Sequence, residues 1–187
     1  MTLEEIATYI VSDGKGILAA DESNPTCGKR FDSIGVESTE ENRRDYREML
    51  FRSEGMNGNI GGVILFDETI RQSASDGTLL RDLILDQGAL PGIKVDKGLQ
   101  PIEDYPGENV TVGLDGLDDR LKEYTEMGAK FTKWRAVIKI GDGIPTDECI
   151  DANMDALAQY AKSAQNNGMV PIVEPEVLMD GDHSIDD

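Results

Sequence analysis

Gly16-Ile17-Leu18-Ala19-Ala20-Asp21-Glu22-Ser23 decides the fold. Gly16 to Asp21 reads as a β-strand that climbs from apolar residues into charge. A doubly wound dinucleotide binder would carry a glycine-rich G-x-G-x-x-G turn directly after its first strand. Here the strand runs into Asp21, Glu22 and Ser23 instead. Four further strand-like stretches follow: the apolar run Gly61 to Phe66, and the charge-bearing stretches Ile93 to Asp96, Lys130 to Ile140 and Met169 to Glu174.

Helical segments alternate with these strands. Thr2-x-x-Glu5 is a capping box opening a helix through about Val11. A polar loop with Asn24-Pro25 and Gly28 follows the first strand. Ser38-x-x-Glu41 caps a second helix that stops near Gly55. Leu79, Leu80, Leu83 and Ile84 stripe another, with Gly88 as its stop, and Leu117, Leu121 and Tyr124 the next. Thr146 starts a long helix that ends at Asn167-Gly168. The Gly61-Gly62 pair predicts a close backbone approach.

Strand–helix alternation means parallel strands joined by right-handed crossovers. An open doubly wound sheet and a (β/α)8 barrel both fit, and both place function at the carboxyl edge of the strands. The absent glycine fingerprint favours the barrel. A complete barrel takes about 250 residues, whereas this chain has 187. The expected architecture is therefore α/β: an incomplete (β/α)8 TIM barrel with about five of the eight parallel strands. Residues 1–187 would form a single domain, truncated after the fifth strand, because Val177 to Asp187 is too short for another helix and strand.

Composition narrows the function. Hydrophobic residues make up 39% and charged residues 29%, the balance of a soluble globular chain. No run is long enough for a membrane helix, and the acidic amino terminus lacks a signal-peptide pattern. Cys27 and Cys149 fit no metal spacing, which implies a reducing compartment. The net charge is −19 and the isoelectric point about 4.3, so nucleic acid and anionic membranes are repelled. The acid falls largely in helices and loops, including Asp180 to Asp187. Against this background Lys94, Lys97, Lys133, Arg135 and Lys139 concentrate in two strand regions. Such a basic focus fits a small anionic ligand, for example a phosphate ester.

Three strands place charges two residues apart, hence on one face. The pairs are Lys94 with Asp96, Lys133 with Arg135, and Glu174 with Glu176. Side by side, such strands would converge their charges on one pocket, a costly arrangement unless the charges pair with each other or with a ligand. Lys133 and Arg135 could hold a phosphosugar, or stand in water on an edge strand. Glu174 and Glu176 could divide acid and base work, or simply pair with Lys133 and Arg135. Asp21 could orient a lysine or accept a proton, or serve as a turn residue. Trp134 would point the other way and pack beneath a helix. His183, the one histidine, lies in Asp180-Gly181-Asp182-His183. It reads poorly as a metal site, since zinc and iron centres usually use two or more histidines.

These motifs together resemble class I fructose-bisphosphate aldolases. The resemblance rests on Gly16 to Ser23, Thr39-Glu40-Glu41-Asn42-Arg43-Arg44, Gly61 to Phe66, Gly92-Ile93-Lys94-Val95-Asp96-Lys97-Gly98, Lys133-Trp134-Arg135 and Val170 to Glu176, in the family's order and near its spacing. It implies a TIM barrel of glycolysis and gluconeogenesis that reversibly cleaves fructose 1,6-bisphosphate into dihydroxyacetone phosphate and glyceraldehyde 3-phosphate. The chemistry implied is a lysine Schiff base, with no cofactor and no metal. Asp21, Lys133, Glu174 and Glu176 would be catalytic; Ser23, Thr26, Arg30, Lys94 and Arg135 would bind substrate. The resemblance further implies a sugar phosphate as partner, a homotetramer for the complete enzyme and a cytoplasmic setting. It covers the amino-terminal portion of the family. The Schiff-base lysine would lie beyond Asp187, so the chain alone is expected to be inactive. Ser53 to Asn59 is shorter than its family counterpart and lacks an arginine found there. A non-catalytic phosphosugar-binding half barrel, or another metal-independent barrel enzyme such as an isomerase, are the competing readings.

Overall fold

A computed structural model describes residues 1–12 and 14–186; the last residue of the acidic carboxyl-terminal run, Asp187, lies outside the described residues. The chain opens with helix α1 (Leu3–Tyr9), whose N-cap Thr2 forms the expected capping box with Glu5. Strand β1 (Gly16–Ala20), strand β2 (Ile60–Leu65), strand β3 (Leu90–Lys94), strand β6 (Phe131–Ile138) and strand β7 (Val170–Val177) follow in one five-stranded sheet, in the spatial order β1-β2-β3-β6-β7. Every pairing in it is parallel. Strands β4 (Leu99–Pro101) and β5 (Asn109–Thr111) form a separate antiparallel pair in the connection that follows β3. The crossover helices are α2 (Asn24–Asp32), α3 (Glu40–Phe51), α4 (Asp67–Ile70), α5 (Leu80–Asp86), α6 (Leu117–Glu126) and α7 (Asp147–Asn166).

The sheet is curled. β1 and β6 are three interstrand steps apart, about 14 Å in a flat sheet. Yet Lys133 Nζ, on β6, lies 3.2 Å from Asp21 Oδ2, one residue past β1. A long lysine side chain spans part of that distance, and curvature supplies the rest. The result is half of a barrel wall.

The two faces have separate cores. The convex face packs Val63, Leu65, Ile93, Trp134 and Ala136 against Phe51, Leu80, Ile84, Leu121, Leu157 and Tyr160 of the helices. Trp134 is wholly buried there and stacks on Tyr160 at 5.3 Å, so it points away from its neighbours Lys133 and Arg135 as expected. The concave face holds a smaller cluster of Ile6, Ile10, Ile64 and Phe131, with Ile17, Leu90, Val170 and Ile172 against it. Ile6 and Ile10 come from the α1 segment, which closes the amino-terminal mouth of the half barrel. That closure explains the glycine pair: a Cβ on Gly61 would stand 2.3 Å from the Ile10 carbonyl oxygen, and one on Gly62 2.9 Å from the Phe131 ring.

Strand alternation then fixes the site. The inward residues run from Ile17 on β1 to Asp21 just past its end, Leu90 to Lys94 on β3, Phe131 to Lys133 and Arg135 on β6, and Val170 and Ile172 to Glu174 and Glu176 on β7. Each starts apolar, at the α1 plug, and ends charged at the carboxyl edge.

Some expectations fall. The polar loop at Asn24-Pro25 and Gly28 is helix α2, in which Pro25 occupies the first turn and Cys27 and Phe31, four residues apart, are buried. The N-cap of α3 is Thr39, which accepts a hydrogen bond from Asn42 N, and the helix ends at Phe51 rather than near Gly55, which lies in a short 3-10 turn (Glu54–Met56). β3 begins earlier than Ile93 and ends at Lys94, while β7 runs on to Val177, past Glu176.

Candidate active site

Lys133 is the centre of the charged edge. Its side chain is 12% exposed, with Asp21 Oδ2 at 3.2 Å and Glu174 Oε1 at 3.4 Å. β3 and β6 pair Lys94 with Lys133, and β6 and β7 pair Arg135 with Glu174, so the charged residues stand on adjoining staves. Burial works against the Lys133 ammonium. Asp21 and then Glu174 more than reverse that effect, and the pKa stands above the ordinary lysine value. The amine is therefore held as a cation.

Arg135 and Glu176 form a two-point pair: Nη2 donates to Oε1 at 2.8 Å and Nε to Oε2. These bonds, ahead of the opposing cost of burial, raise the Arg135 pKa. Lys94 Nζ lies 3.6 Å from Asp96 Oδ1. Of the two readings of the paired glutamates, the ion-pair one is observed: Glu174 is the partner of Lys133 and Glu176 that of Arg135.

Ser23 and Lys94 share a cavity of about 640 Å³ with Asp96, Lys97 and Arg120. Ser23 Oγ and Thr26 Oγ1 lie 3.1 Å apart at the start of α2. Arg30 is not brought into that cavity. Its guanidinium is tied to Glu22 and lies 3.3 Å from the Tyr46 hydroxyl, on the exposed outer side of α2. Lys139 also stands apart, lining a separate cavity with Asp142, Asp182 and His183. The basic focus therefore contracts to Lys94, Lys97, Lys133 and Arg135.

Three features escaped the sequence reading. Arg120, on α6, donates to the carbonyls of Val95 at 2.9 Å and Gly113 at 2.5 Å and so braces the chain beyond Lys94. Arg43 makes two 2.7 Å bonds to Glu68, joining α3 to α4. The Tyr124 hydroxyl donates to Asp67 at 2.8 Å, and burial together with that carboxylate pushes its pKa up to about 12. Tyr124 was legible only as part of an apolar stripe. Nothing in the spacing of Arg43 or Arg120 marks their pairing with Glu68 and Val95, which lie 25 residues away in each case.

A curled parallel α/β half barrel that gathers a buried, doubly paired lysine and its carboxylates at the carboxyl edge of the strands defines the class: part of a (β/α)8 barrel wall, with charge at the edge where such barrels work. The family model described as "Fructose-bisphosphate aldolase class-I" matches residues 2–187, and the chain belongs to that family. A "Probable fructose-bisphosphate aldolase class 1" of Xanthomonas campestris pv. campestris is 56% identical over 98% of this chain and 55% of its own length. "Fructose-bisphosphate aldolase 4, cytosolic" of Arabidopsis thaliana is 54% identical over 96% of this chain and 46% of its own, and "Fructose-bisphosphate aldolase 1, chloroplastic" of Chlamydomonas reinhardtii is also 54% identical. The Plasmodium falciparum fructose-bisphosphate aldolase, solved in complex with TRAP and a small molecule inhibitor, superposes with a TM-score of 0.96 at 49% identity, over 98% of this chain and 54% of that one. The chain thus spans about half the length of the relatives it matches. Among the described residues no helix is long and apolar enough to cross a membrane.

Proposed function

We propose that residues 1–187 form one domain that supplies the phosphosugar-holding and proton-handling part of a fructose 1,6-bisphosphate aldolase site. The observation that carries this reading is the Lys133 ammonium, fixed between Asp21 and Glu174 on a concave face that also presents Lys94 and Arg135. Two phosphates and a row of hydroxyls need cations and acceptors at such spacing.

Asp21 handles the substrate hydroxyl and keeps Lys133 in place. Lys133, as a cation, assists carbinolamine breakdown and carbon–carbon cleavage into dihydroxyacetone phosphate and glyceraldehyde 3-phosphate. Glu174 is the acid–base, and Glu176 holds Arg135 where it orients the sugar. Lys94, Ser23 and Thr26 hold one phosphate, which Arg30 reaches only after exchanging Glu22 for it. A lysine must lose its proton before it attacks a carbonyl, and Asp21 and Glu174 oppose that loss. Lys133 is therefore not the imine-forming amine, and the polypeptide of residues 1–187 binds sugar phosphate without turning it over. A homotetramer in a cytoplasmic setting accompanies this reading, in keeping with relatives named as cytosolic.

Calorimetric titration with fructose 1,6-bisphosphate tests the proposal. Binding is expected, weakened about tenfold by Lys94→Met and by Arg135→Met, the loss of one charge-assisted contact each. Affinity indifferent to both substitutions would place the ligand elsewhere and sink the reading.

A further inference from the structure

Arg47, on α3, is 2% exposed and among the largest wholly buried side chains. Its Nε donates to the Ala20 carbonyl oxygen at 2.8 Å. Its Nη2 donates to the Glu22 carbonyl oxygen at 3.0 Å and lies 2.9 Å from Glu22 Oε2. Its Nη1 reaches Cys27 Sγ at 3.4 Å. Ala20 and Glu22 are the residues on either side of Asp21, and Asp21 stands one position beyond the end of β1, where the strand ladder with β2 has stopped.

A buried guanidinium is costly unless its donors are used. An ion pair with Glu22 would need one edge of the fork. Beyond that pair and the Nη1 contact with Cys27 Sγ, Nε and Nη2 are aimed at backbone, at the two carbonyls that set the direction of the intervening side chain. A planar fork with several fixed donors can hold two carbonyls at once, which a lysine ammonium cannot do with the same geometry.

We propose that Arg47 is a positioning residue of the candidate site: it clamps the carbonyls flanking Asp21 and thereby aims the Asp21 carboxylate at Lys133. The inference rests on the Asp21–Lys133 pairing of the proposed function and deepens it.

The test is a double-mutant cycle read at Lys133. Lysines are 13C-methylated, the Lys133 resonance is identified by its loss in Lys133→Met, and its titration midpoint is followed by NMR. The set is the parent, Asp21→Asn, Arg47→Met, Arg47→Lys and each Arg47 variant combined with Asp21→Asn. Asp21→Asn is expected to raise the Lys133 acid dissociation constant about tenfold. Arg47→Met and Arg47→Lys should each reproduce much of that rise, and add nothing once the Asp21 carboxylate is gone. The near-ultraviolet signal of Trp134 reports whether the fold is kept. If Asp21→Asn leaves Lys133 unmoved, the underlying pairing fails. If it moves Lys133 while the Arg47 variants do not, or if they act equally with and without the carboxylate, the positioning role is overturned. Loss of the Trp134 signal in both Arg47 variants would make Arg47 a support of the fold alone, and would overturn it equally.

Discussion

Replacing Lys133 by Met leaves a nearly buried carboxylate without its cation, and the cost can be worked from the geometry. At 3.2 Å the attraction between Lys133 and Asp21 is about 5 kcal/mol at an effective dielectric constant near 20. Glu174 is 33% exposed and adds about 1 kcal/mol or less, because water screens it. Desolvation of the lysine offsets part of this sum. Removing one member of a buried pair typically costs about 3 kcal/mol, most of it the penalty of the carboxylate left behind. Lys133→Met should therefore lower stability by about that amount in urea denaturation at low protein concentration. Adding Asp21→Asn should recover most of the loss, because the charge still left without its cation, Glu174, is 33% exposed and solvated. The pH dependence has a definite sign. Asp21 and Glu174 outweigh burial and raise the Lys133 pKa on folding. The stabilisation is thus complete below the unfolded lysine pKa of about 10.4 and disappears as pH rises through the higher folded value. The gap between parent and variant should be flat near neutrality and close in strong alkali. A single variant as stable as the parent at neutral pH, or a double variant no better than the single, would refute the reasoning.

Gly92→Ala would place a Cβ 2.3 Å from Cε2 of the wholly buried Phe131 ring, and should cost about 1–3 kcal/mol in the same denaturation measurement. Arg135→Met should change stability by less than about 1 kcal/mol, since Arg135 and Glu176 are 40% and 38% exposed, while still weakening sugar bisphosphate binding; an equal loss of both would assign Arg135 to the fold instead. β7 presents Val173 and Val177 at 46% and 47% exposure, so the isolated polypeptide should self-associate as its concentration rises in sedimentation velocity, and a strictly monomeric profile with a cooperative thermal transition would contradict this.

The site was legible where strand periodicity carries it. Two-residue spacing put Lys133 with Arg135 and Glu174 with Glu176 on one face, and Trp134 on the other, because side chains alternate across any strand. The bracing of that site was not legible. Arg47 and Arg120 act through backbone carbonyls at 27 and 25 residues' separation, and no local pattern encodes such a bond. Helix α2 was hidden by its own composition. Asn24, Pro25 and Gly28 are turn residues in most settings. What makes them helical here is the tertiary anchoring of Cys27 and Phe31, with Pro25 in the one turn that tolerates it. Arg30 shows the opposite limit: the resemblance marks it as a phosphate ligand, while the side chain rests on Glu22.

Borohydride reduction of the polypeptide of residues 1–187 in the presence of dihydroxyacetone phosphate, read by peptide mass spectrometry, addresses Lys133 itself. A lysine kept charged by Asp21 and Glu174 should show no adduct, although fructose 1,6-bisphosphate still binds. A reduced triose phosphate adduct on Lys133 would contradict the account.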